Sequence, residues 1–436
     1  MTVLIQYQPR GSGAREIAVN LEADIAAGRL LPGTPVASVR RAAATLGVST
    51  ATVAAAMADL RRRGVVVSRP RSGLRVAERP PVRPGFNISE APAGARDLVT
   101  GSPDPALLPD LARALRAIEA PQRLYGAEPV LPELAEVATA AFVADGVPAT
   151  RVCALNGALD AIERVLDAHL SPGDAVAVED PGWPGVLDLA RALGLRLVPV
   201  AVDERGMIPD RLAAAQRAGA RAVVLTPRGH NPCGSAFDAA RAGELREALA
   251  DDVLVIEDDH LGPVAGTKWH TLTAGRERWA VVRSVSKWLG PDLRLAVVAG
   301  DETTLARVEG RHALGPGWVS GLVQRLTARL WSDRNVMAAV ERAAAAYTER
   351  RDALAALVDA APAPSGINLW VPVPDEFAAV RALRDAGWAV AAGAPYRLSP
   401  GSAIRITTAA LQPDEAPDLA AAIERAVSPP PRTRAA

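Results

Sequence analysis

The sequence predicts a multidomain chain, in which a small helical module ending in a β-hairpin precedes a larger α/β domain and a small C-terminal α+β domain. Its 436 residues are too many for a single hydrophobic core. Apolar residues follow helical spacing before residue 78 and form continuous runs of strand length after residue 98. Charge is also uneven, because residues 1–79 hold twelve arginines against five acidic residues although the whole chain has a formal net charge of zero.

The N-terminal module, residues 10–78, is predicted to begin with three helices. The first spans about residues 14–27. The second begins after Ser38, a candidate N-cap, and stops at Gly47. The third follows the turn "LGVS", and its apolar residues recur at spacings of four and three on one face. Those residues are Val53, Met57 and Leu60.

Two short β-runs, Val65–Ser68 and Leu74–Ala77, follow the third helix and are joined by a turn with Pro70 and Gly73. Two short helices, a tight turn and a basic hairpin are typical of a winged helix-turn-helix, and the arginine excess suits a polyanion. The alternative, a small three-helix packing module, is disfavoured by the turn, the arginines and the wing together. The residues expected to contact double-stranded DNA are Ser38, Arg40, Ser49, Thr50, Thr52, Arg69, Arg71 and Gly73, with Arg75 as a further phosphate contact.

The rest of the chain is predicted to contain a linker and two domains. Residues 79–97 are rich in proline and glycine and lack periodicity, which is typical of a semi-stiff linker. Residues 98–334 alternate apolar runs with alanine-rich helical stretches, which indicates a mostly parallel sheet covered on both faces. Residues 335–428 alternate long helices with "INLWVPV" and "AIRIT" and are predicted to form the small α+β domain. The strand runs of the larger domain are 175–179, 195–200, 221–226, 253–257, 280–284 and 294–300.

The stretch "RSVSKWLGPDLR" contains Lys287, which is one of only two lysines among 49 basic residues. Arginine does not lose its proton near neutral pH, whereas a lysine amine can do so and then attack a carbonyl carbon. Lys287 is therefore a candidate nucleophile toward an aldehyde. The same stretch supplies Ser284, Ser286 and Arg294, whose hydroxyls and guanidinium suit a phosphate group.

Three more polar segments follow apolar runs, and ligands of parallel sheets collect beyond the carboxyl ends of the strands. "LNGALDAIERVL" places Gly157 and Ala158 at a helix start, where backbone amides suit a phosphate. "VLVIEDDH" presents a carboxylate that suits a protonated ring nitrogen, with an ordinary N-cap cluster as the alternative. "LTPRGHNPCG" presents Asn231, which is either a donor to a ring oxygen or a turn residue. Together these features are the inventory that a pyridoxal phosphate site requires.

The chain resembles the MocR subfamily of GntR-type transcription regulators, in which a winged helix precedes a body like a fold-type I aminotransferase. The resemblance covers nearly the whole chain and is most specific in "NPCG", "EDDH" and "SVSKWLGPDLRLAVVAG". The last two are most similar to the branch associated with pyridoxal kinase control. The resemblance implies an α/β fold-type I large domain that binds pyridoxal 5'-phosphate (PLP) and a domain-swapped homodimer.

The resemblance also implies a role for individual residues. Lys287 would bond covalently to the cofactor aldehyde, Asp258 would pair with the pyridinium nitrogen and Asn231 would bond the ring hydroxyl. Trp183 would lie near the ring, with a plain core tryptophan as the alternative. The further residues it implies are Gly157, Ala158, Ser284, Ser286 and Arg294 at the phosphate, His260 near the ring oxygen, Tyr125 at the phosphate in the partner subunit, and Arg405 at the carboxylate of an amino-acid effector.

The sequence departs from the family pattern at three places. His260 stands where tyrosine is common, so the bond to the ring oxygen is expected to be weaker or pH-dependent. Cys233 stands where threonine is usual, and Ala37 replaces the proline before Ser38, which alters the region of the base contacts.

Two classes of function follow from these residues. The first is a PLP-dependent transcription regulator that senses the cofactor or an amino compound reacting with it. The second is a working aminotransferase with an incidental N-terminal extension. Residues 15–77 favour the regulator, because an aminotransferase needs no winged helix. The presence of Lys287 is compatible with a residual half-reaction, in which an amino acid is deaminated without turnover.

Several other classes are excluded by the sequence. No apolar run approaches the roughly 18 to 20 residues that span a bilayer, and the N-terminus has no signal-peptide pattern. The two cysteines, Cys153 and Cys233, are far apart and give neither a disulfide framework nor a metal-binding pattern. A cytoplasmic protein is therefore expected.

Overall fold

The computed structural model describes most of the chain and divides it into two compact units, Met1–Pro84 and Gly85–Ala436. No helix in the described part is long and apolar enough to cross a membrane. Most of the predicted linker lies outside the described residues. The described residues are 9–26, 29–31, 33–62, 65–69, 73–77, 91, 94–119 and 121–427.

The first unit has the three helices and the hairpin that the sequence predicts. Ser38 caps the second helix, since its Oγ accepts from the backbone N of Arg41 at 3.4 Å. Gly47 ends that helix at a φ of 67°, a left-handed conformation that favours glycine. The elements are α1 (Ala14–Ala26), α2 (Val39–Leu46), α3 (Thr50–Arg62), β1 (Val66–Arg69) and β2 (Gly73–Val76), and the two strands pair antiparallel.

The first unit has its own hydrophobic core. The predicted apolar face of α3, formed by Val53, Met57 and Leu60, is buried against Ile17 and Leu21 of α1. Because α3 turns this face inward, its other side, beginning with Thr50 and Ala51, stays exposed.

The second unit begins with short elements and continues as a large α/β layer. Its central strands are mainly apolar, because both faces of the sheet are covered. The elements are β3 (Arg96–Asp97), α4 (Leu111–Arg116), α5 (Pro132–Ala144), β4 (Cys153–Leu155), α6 (Ala158–His169), β5 (Ala175–Asp180), α7 (Pro184–Ala192), β6 (Arg196–Asp203), β7 (Gly206–Met207), α8 (Pro209–Arg217), β8 (Ala220–Leu225), α9 (Ala239–Ala248), β9 (Leu254–Asp259), β10 (Trp279–Ser284), β11 (Ala296–Gly300), α10 (Glu302–Ala313) and α11 (Gly321–Ser332).

The large sheet has eight strands in the order β4-β11-β10-β9-β8-β5-β6-β7. The five central strands, from β10 to β6, are parallel, as the sequence predicts. At the edges, β11 is antiparallel to β10 and β4, and β7 is antiparallel to β6. Two strands, β4 and β7, were not predicted, because runs of two or three residues carry no readable period.

The C-terminal part of the chain forms a small second layer. A three-stranded antiparallel sheet in the order β12-β15-β14 packs with three helices around one apolar cluster. The elements are α12 (Arg334–Ala355), β12 (Asn368–Pro372), α13 (Glu376–Asp385), β13 (Trp388–Ala389), β14 (Ala391–Ala392), β15 (Ala403–Thr407) and α14 (Ala416–Val427).

One boundary of the sequence prediction is wrong. Residues 96 and 97, predicted to be linker, form β3 and pair in parallel with β13. Leu98, predicted to open the large domain, is fully buried in the core of the small layer. This pairing joins residues about 290 positions apart, so local composition carries no sign of it.

Candidate functional site

The carboxyl ends of β5, β8 and β9 lie side by side, and the residues at these ends line one cavity. Parallel strands present their C-terminal residues at the same edge of a sheet, which is why separate polar motifs converge there. The polar and aromatic side chains lining the cavity are Glu179, Trp183, Thr226, Asn231, Asp258 and His260. Four of these six, Trp183, Asn231, Asp258 and His260, were predicted from the sequence.

The strand β9 ends in three consecutive carboxylates that face alternate sides of the sheet. Glu257 and Asp259 lie on the side of Val255, where each is satisfied. Glu257 accepts from Thr271 Oγ1 at 2.9 Å and from the backbone N of Leu272 at 2.5 Å. These residues are part of the strand, so the N-cap alternative for the segment as a whole is wrong. Asp259 also accepts from the backbone N of Gly262 at 3.2 Å.

Asp259 is held by two buried arginines. Arg228 binds it through two parallel contacts of 2.9 Å, and Arg283 Nε lies 2.5 Å from its Oδ2. Burial alone would raise the pKa of Asp259, but the two guanidinium groups outweigh burial and hold that pKa well below its usual range. Asp259 is therefore an anion that organises the interior, and it is not available to a ligand.

Asp258 is the opposite case. It points to the cavity side of β9, is buried, and its Oδ1 has no hydrogen-bond partner in the described part of the chain. Burial raises the pKa of Asp258 to about 8, and the negative charges of Asp259 and Glu179 act in the same direction. A buried carboxylate without a donor is costly, so this position suits a ligand that brings an N–H group.

Lys287 lies in the loop after β10, where its side chain is partly buried. Its Nζ donates to the backbone O of Gly101 at 2.5 Å. Burial, and then the nearby charge of Arg405, lowers the pKa of Lys287 to about 8. About a tenth of the amines are therefore neutral at pH 7, which makes Lys287 a competent nucleophile toward a carbonyl carbon.

Asn231 lies in the loop after β8, and its Oδ1 is also buried without a partner among the described residues. The preceding residue, His230, is fully buried, and its Nε2 lies 3.3 Å from Glu179 Oε2. The backbone N of Cys233 lies 3.4 Å from its other ring nitrogen, Nδ1. Burial alone would lower the pKa of His230, but Glu179 outweighs burial and raises it to about 10. The pair of His230 and Glu179 therefore holds the loop that contains Asn231 against the end of β5.

His260 contacts the same cavity. Its Nδ1 lies 4.0 Å from Asp258 Oδ2. Burial, together with the nearby charge of Lys287, lowers the pKa of His260 to about 3. His260 is therefore neutral at physiological pH. The expected weaker or pH-dependent bond from His260 to the ring oxygen stays a prediction.

Two of the predicted phosphate residues, Gly157 and Arg294, meet at the start of α6. A Cβ built on Gly157 would lie 2.9 Å from Arg294 Nη2, so only glycine lets the guanidinium lie over the helix N-terminus. Gly157 also has a φ of 93°. Ser284 is buried and its Oγ accepts from the backbone N of Ser286 at 3.2 Å. The backbone amides at the start of α6, beginning at Ala158, and a guanidinium together suit a phosphate.

Arg405, in β15, is buried at 2 % exposure. Within the described residues it is the only buried arginine with no carboxylate within 4 Å; the others pair with aspartate or glutamate. It donates through Nη2 to the backbone O of Val99, its Nε has no partner, and its guanidinium lies 5.3 Å from the ring centroid of Tyr396. Burial lowers the pKa of Arg405. An uncompensated buried cation suits an anionic ligand.

Comparison with known proteins accounts for both units. Residues 14–76 match the family of bacterial regulatory proteins called gntR, and residues 97–423 match aminotransferase class I and II. The chain is 39% identical over 428 residues to the vitamin B6 salvage pathway transcriptional repressor PtsJ of Salmonella typhimurium, which covers 96% of this chain and 99% of that protein. It is 29% identical over 380 residues, 77% of each chain, to the HTH-type transcriptional regulator TauR of Rhodobacter capsulatus.

The chain belongs to the MocR type of GntR-family transcription regulators. This MocR-type protein is a DNA-binding transcription regulator, and the alternative of a working aminotransferase with an incidental N-terminal extension is not favoured.

Solved structures show the fold of the body of this MocR-type regulator. The kynurenine aminotransferase of Pyrococcus horikoshii has a TM-score of 0.69 at 19% identity, covering 78% of this chain and 93% of that chain. The α-aminoadipate aminotransferase LysN of Thermus thermophilus has a TM-score of 0.68 at 22% identity, covering 78% and 95%. The predicted fold class, an aminotransferase-like α/β body of fold type I behind a winged helix, is confirmed.

The predicted DNA contacts of the regulator lie at or near the starts of α2 and α3 and in the hairpin. Ser49 caps α3, since its Oγ accepts from the backbone N of Thr52 at 3.0 Å. Arg75 is half-buried and donates to the backbone O of Gly33 at 2.8 Å, so it ties the wing to the loop before α2. Arg71 lies outside the described residues, and Arg69 is the last residue of β1. The predicted contacts with exposed positions are Ser38, Arg40, Ser49, Thr50 and Gly73, while Thr52 is half-buried.

Two aromatic predictions have different surroundings. Trp183 begins α7, is half-buried and lines the cavity, beside Gly185, whose missing side chain leaves room for the indole. Tyr125 is 91% exposed and is not among the cavity residues; its ring packs edge-on against Trp318 with centroids 5.6 Å apart.

Sequence reasoning missed three side chains at the site and two backbone carbonyls that accept from its cations. Glu179 and His230 were part of quoted motifs but carried no signal separate from packing. Tyr396 lies in a short loop of the small layer, and only its contact with Arg405 marks it. The backbone carbonyls of Val99 and Gly101 accept from Arg405 and Lys287, and carbonyls leave no trace in a sequence.

Proposed function

We propose that this MocR-type regulator binds PLP at the cavity beyond β5, β8 and β9, and that the occupancy of this site controls DNA binding by the winged helix. The occupant is PLP or an amino compound that reacts with it. The observation that carries the proposal is the buried Oδ1 of Asp258, which has no partner among the described residues and lies at this cavity. Lys287, whose amine is partly deprotonated, is close enough to His260 of the same cavity for its charge to lower the pKa of His260.

The residues present fit this cofactor at each end. Asp258 suits the ring nitrogen, because its Oδ1 needs an N–H donor. Asn231 and the neutral His260 suit the ring oxygen, and Trp183 suits a face of the ring. Arg294 and the start of α6 suit the phosphate. When bound, PLP supplies an aldehyde carbon for the amine of Lys287 and a ring that withdraws electrons from it.

Asp258 holds a proton for the ring nitrogen. With a pKa of about 8, Asp258 is largely protonated at pH 7 before a ligand arrives. Asp258 would share this proton with a ring nitrogen in hydrogen-bond contact with Oδ1 and, as the anion, would stabilise a protonated ring. The cost of burying an unpaired acid is recovered only in the complex.

Arg405 supports an amino compound with a carboxylate as the effector. A carboxylate in contact with the guanidinium would supply the negative charge that Arg405 lacks, and bidentate pairing of this kind is strong. Lys287 is close enough to Arg405 for its pKa to be lowered by that charge, so one small molecule can contact both side chains.

We infer that the working regulator is a domain-swapped homodimer in the cytoplasm. The support is Tyr125, an almost fully exposed tyrosine that the family resemblance assigns to the phosphate of the partner subunit. Light scattering of the full chain measures the mass. Mixing Tyr125→Phe with Lys287→Ala chains tests the exchange, because only the mixed dimer contains one site with both side chains.

The relative PtsJ is named a repressor of vitamin B6 salvage, and it matches nearly the whole chain. We propose that the genes controlled here serve the same pathway. A gel shift on the DNA upstream of the regulator's own gene and of pyridoxal kinase genes, with and without PLP, tests this assignment. Equal binding to unrelated promoters would contradict it.

The decisive test of cofactor binding is visible absorption. Addition of PLP to the full chain is expected to produce a yellow band that is absent in Lys287→Ala. Lys268→Ala is the matched control, since that lysine is exposed and its loss should leave the band unchanged. Borohydride reduction and peptide mapping should modify position 287; a wild-type chain that stays colourless would overturn the proposal.

DNA binding is tested separately. Because most contacts of such proteins are with phosphates, affinity is expected to fall steeply as salt rises. A chain lacking residues 1–79 should keep the yellow band, which shows that the body is folded, and lose all specific DNA binding. Retention of specific binding by that chain would contradict the assignment.

A further inference from the structure

The two cations of the proposed sensing site hold one short backbone segment. Lys287 Nζ donates to the O of Gly101 at 2.5 Å, and Arg405 Nη2 donates to the O of Val99. The two acceptors are only two residues apart. We call residues 99–101 the sensing turn.

Both flanks of the sensing turn are fixed by other contacts. On the N-terminal side, Leu98 is buried, its N donates to Ala389 O at 2.9 Å, and its O accepts from Thr407 N at 3.0 Å. On the C-terminal side, Asp104 pairs with Arg350 at 2.8 Å. The flanks therefore stay in place when the ligand site changes.

Inside the sensing turn, Asp97 Oδ1 accepts from the N of Val99 and of Thr100, at 2.8 and 3.2 Å. The two carbonyl contacts, by contrast, depend on Lys287 and Arg405. Gly101 has a φ of 65°, and a Cβ there would lie 3.2 Å from Arg405 Nη1. The turn is thus packed closely on the guanidinium, in a conformation that favours glycine.

The sensing turn is also near the DNA-binding unit along the chain. The first compact unit ends at Pro84, and β3 begins at Arg96. The sensing turn follows β3 directly, so it is the first part of the body beyond β3 whose hydrogen bonds involve ligand-binding side chains.

Ligands at the proposed site compete with both carbonyls. Bonding of Nζ to an aldehyde carbon forms a carbon–nitrogen double bond and removes both amine hydrogens, which leave as water with the aldehyde oxygen. At most one N–H then remains on Nζ. A carboxylate on Arg405 likewise offers the guanidinium a charged acceptor in place of the neutral O of Val99.

We propose that the sensing turn, residues 99–101, is the element through which the ligand site acts on the winged helix: Lys287 and Arg405 hold it in the free protein and release it when ligand engages them. The inference rests on the proposed function. It deepens that function by naming the segment whose hydrogen bonds change and by connecting that change to the chain that leads to the DNA-binding unit.

Hydrogen–deuterium exchange of the full chain tests the release. A hydrogen bond to a charged group contributes enough that its loss changes a local opening equilibrium by about tenfold. Saturation with PLP is therefore expected to speed exchange of the amides of residues 99–102 by about tenfold or more, while the fixed flank at Leu98 stays slow. Lys287→Ala should show the fast exchange without ligand and no further change on addition of PLP.

A backbone variant tests the coupling without altering a ligand-binding side chain. Gly101→Ala should displace the turn from Arg405. The variant is expected to keep the visible band with PLP, while its DNA affinity no longer differs between the free and the ligand-bound protein. The matched control is Gly146→Ala, which has a φ of 79° and nothing within 4 Å of the added Cβ, and which should keep the wild-type response.

The outcomes separate this inference from the function on which it rests. No visible band in the wild-type chain overturns the proposed function. A normal band with unchanged or slower exchange at residues 99–102 overturns the sensing turn and leaves PLP binding intact. A Gly101→Ala chain whose DNA affinity responds to PLP as that of the wild type does also overturns the sensing turn. Leu98→Ala, which weakens the anchor of the turn, is the control that shows hydrogen–deuterium exchange at this segment to be measurable.

Discussion

The two sides of strand β9 differ sharply in what they do with a buried carboxylate. On one side, Asp259 is bound by Arg228 and Arg283 and its pKa is held far below the usual range. On the cavity side, the adjacent Asp258 has an unpartnered oxygen and a pKa raised to about 8. The first pattern stabilises a fold, and the second requires a ligand. Because successive side chains of a strand point to opposite faces of the sheet, adjacent acidic residues in one run can have a structural role on one face and a functional role on the other.

The largest effect is expected from breaking the structural side. Asp259→Asn leaves two buried guanidinium groups without their anion, and removal of one partner from a buried ion pair costs about 3–5 kcal/mol. Chemical unfolding of the ligand-free chain, followed by circular dichroism, measures the loss. A loss of unfolding free energy below about 1 kcal/mol would mean that Asp145, which also contacts Arg283, compensates the charge of the buried arginines by itself.

Asp258→Asn, the matched change one residue away, should have the reverse profile. The ligand-free chain is expected to be as stable as the wild type or more so, because an unpaired buried acid is removed. PLP affinity should fall by about tenfold to a hundredfold, since a charge-assisted hydrogen bond to the ring nitrogen is lost. Titration of the visible band gives the affinity. Equal losses of stability in the two variants would contradict the division of roles.

The pH dependence of stability sharpens the comparison. Between about pH 3.9, the unfolded value, and about pH 8, folded Asp258 keeps a proton that the unfolded chain has lost. The contribution of Asp258 to stability should therefore fall as pH rises through this window and level off above it. Relative to the wild type, Asp258→Asn should show a slope shallower by at most about 1.4 kcal/mol per pH unit. Asp259, whose pKa is lowered, contributes a constant term over the same range. Thermal unfolding between pH 5 and 8 measures the difference.

The smallest effect concerns the rate of cofactor binding. With a pKa of about 8, the neutral fraction of the Lys287 amine rises about tenfold per pH unit below that value and then saturates. The rate of appearance of the visible band should follow the same curve in a stopped-flow experiment. Arg405→Leu removes a neighbouring charge and should move the break to higher pH. A rate independent of pH between 6 and 8 would show that deprotonation of Lys287 is not required.

Much of the fold could be predicted because its signals are local. Ser38 and Gly47 mark the ends of a helix by their hydrogen-bonding and backbone preferences, and the one-sided spacing in α3 predicts its buried face. The central strands are readable as continuous apolar runs because both of their faces are covered. The features that could not be predicted depend on contacts between segments far apart in sequence, such as the pairing of β3 with β13 and the burial of Leu98.

The site divides in the same way. The acidic run at the end of β9 was visible as a candidate, but the partners of Asp259 come from β10 and from the loop after β8, so geometry alone separates it from Asp258. Arg405 was assigned by resemblance, since its neighbours in sequence are ordinary. Its lack of a carboxylate partner appears only when the surrounding chain is folded.

The scarcity of lysine has a practical consequence for selectivity. Free PLP forms reversible adducts with exposed amines, and a surface rich in lysine would consume part of a scarce aldehyde without reporting it. Here the only lysine competing with Lys287 is the exposed Lys268. Background labelling is confined to Lys268 and the terminal amine, so an aldehyde that reacts with this protein does so almost entirely at Lys287 Nζ.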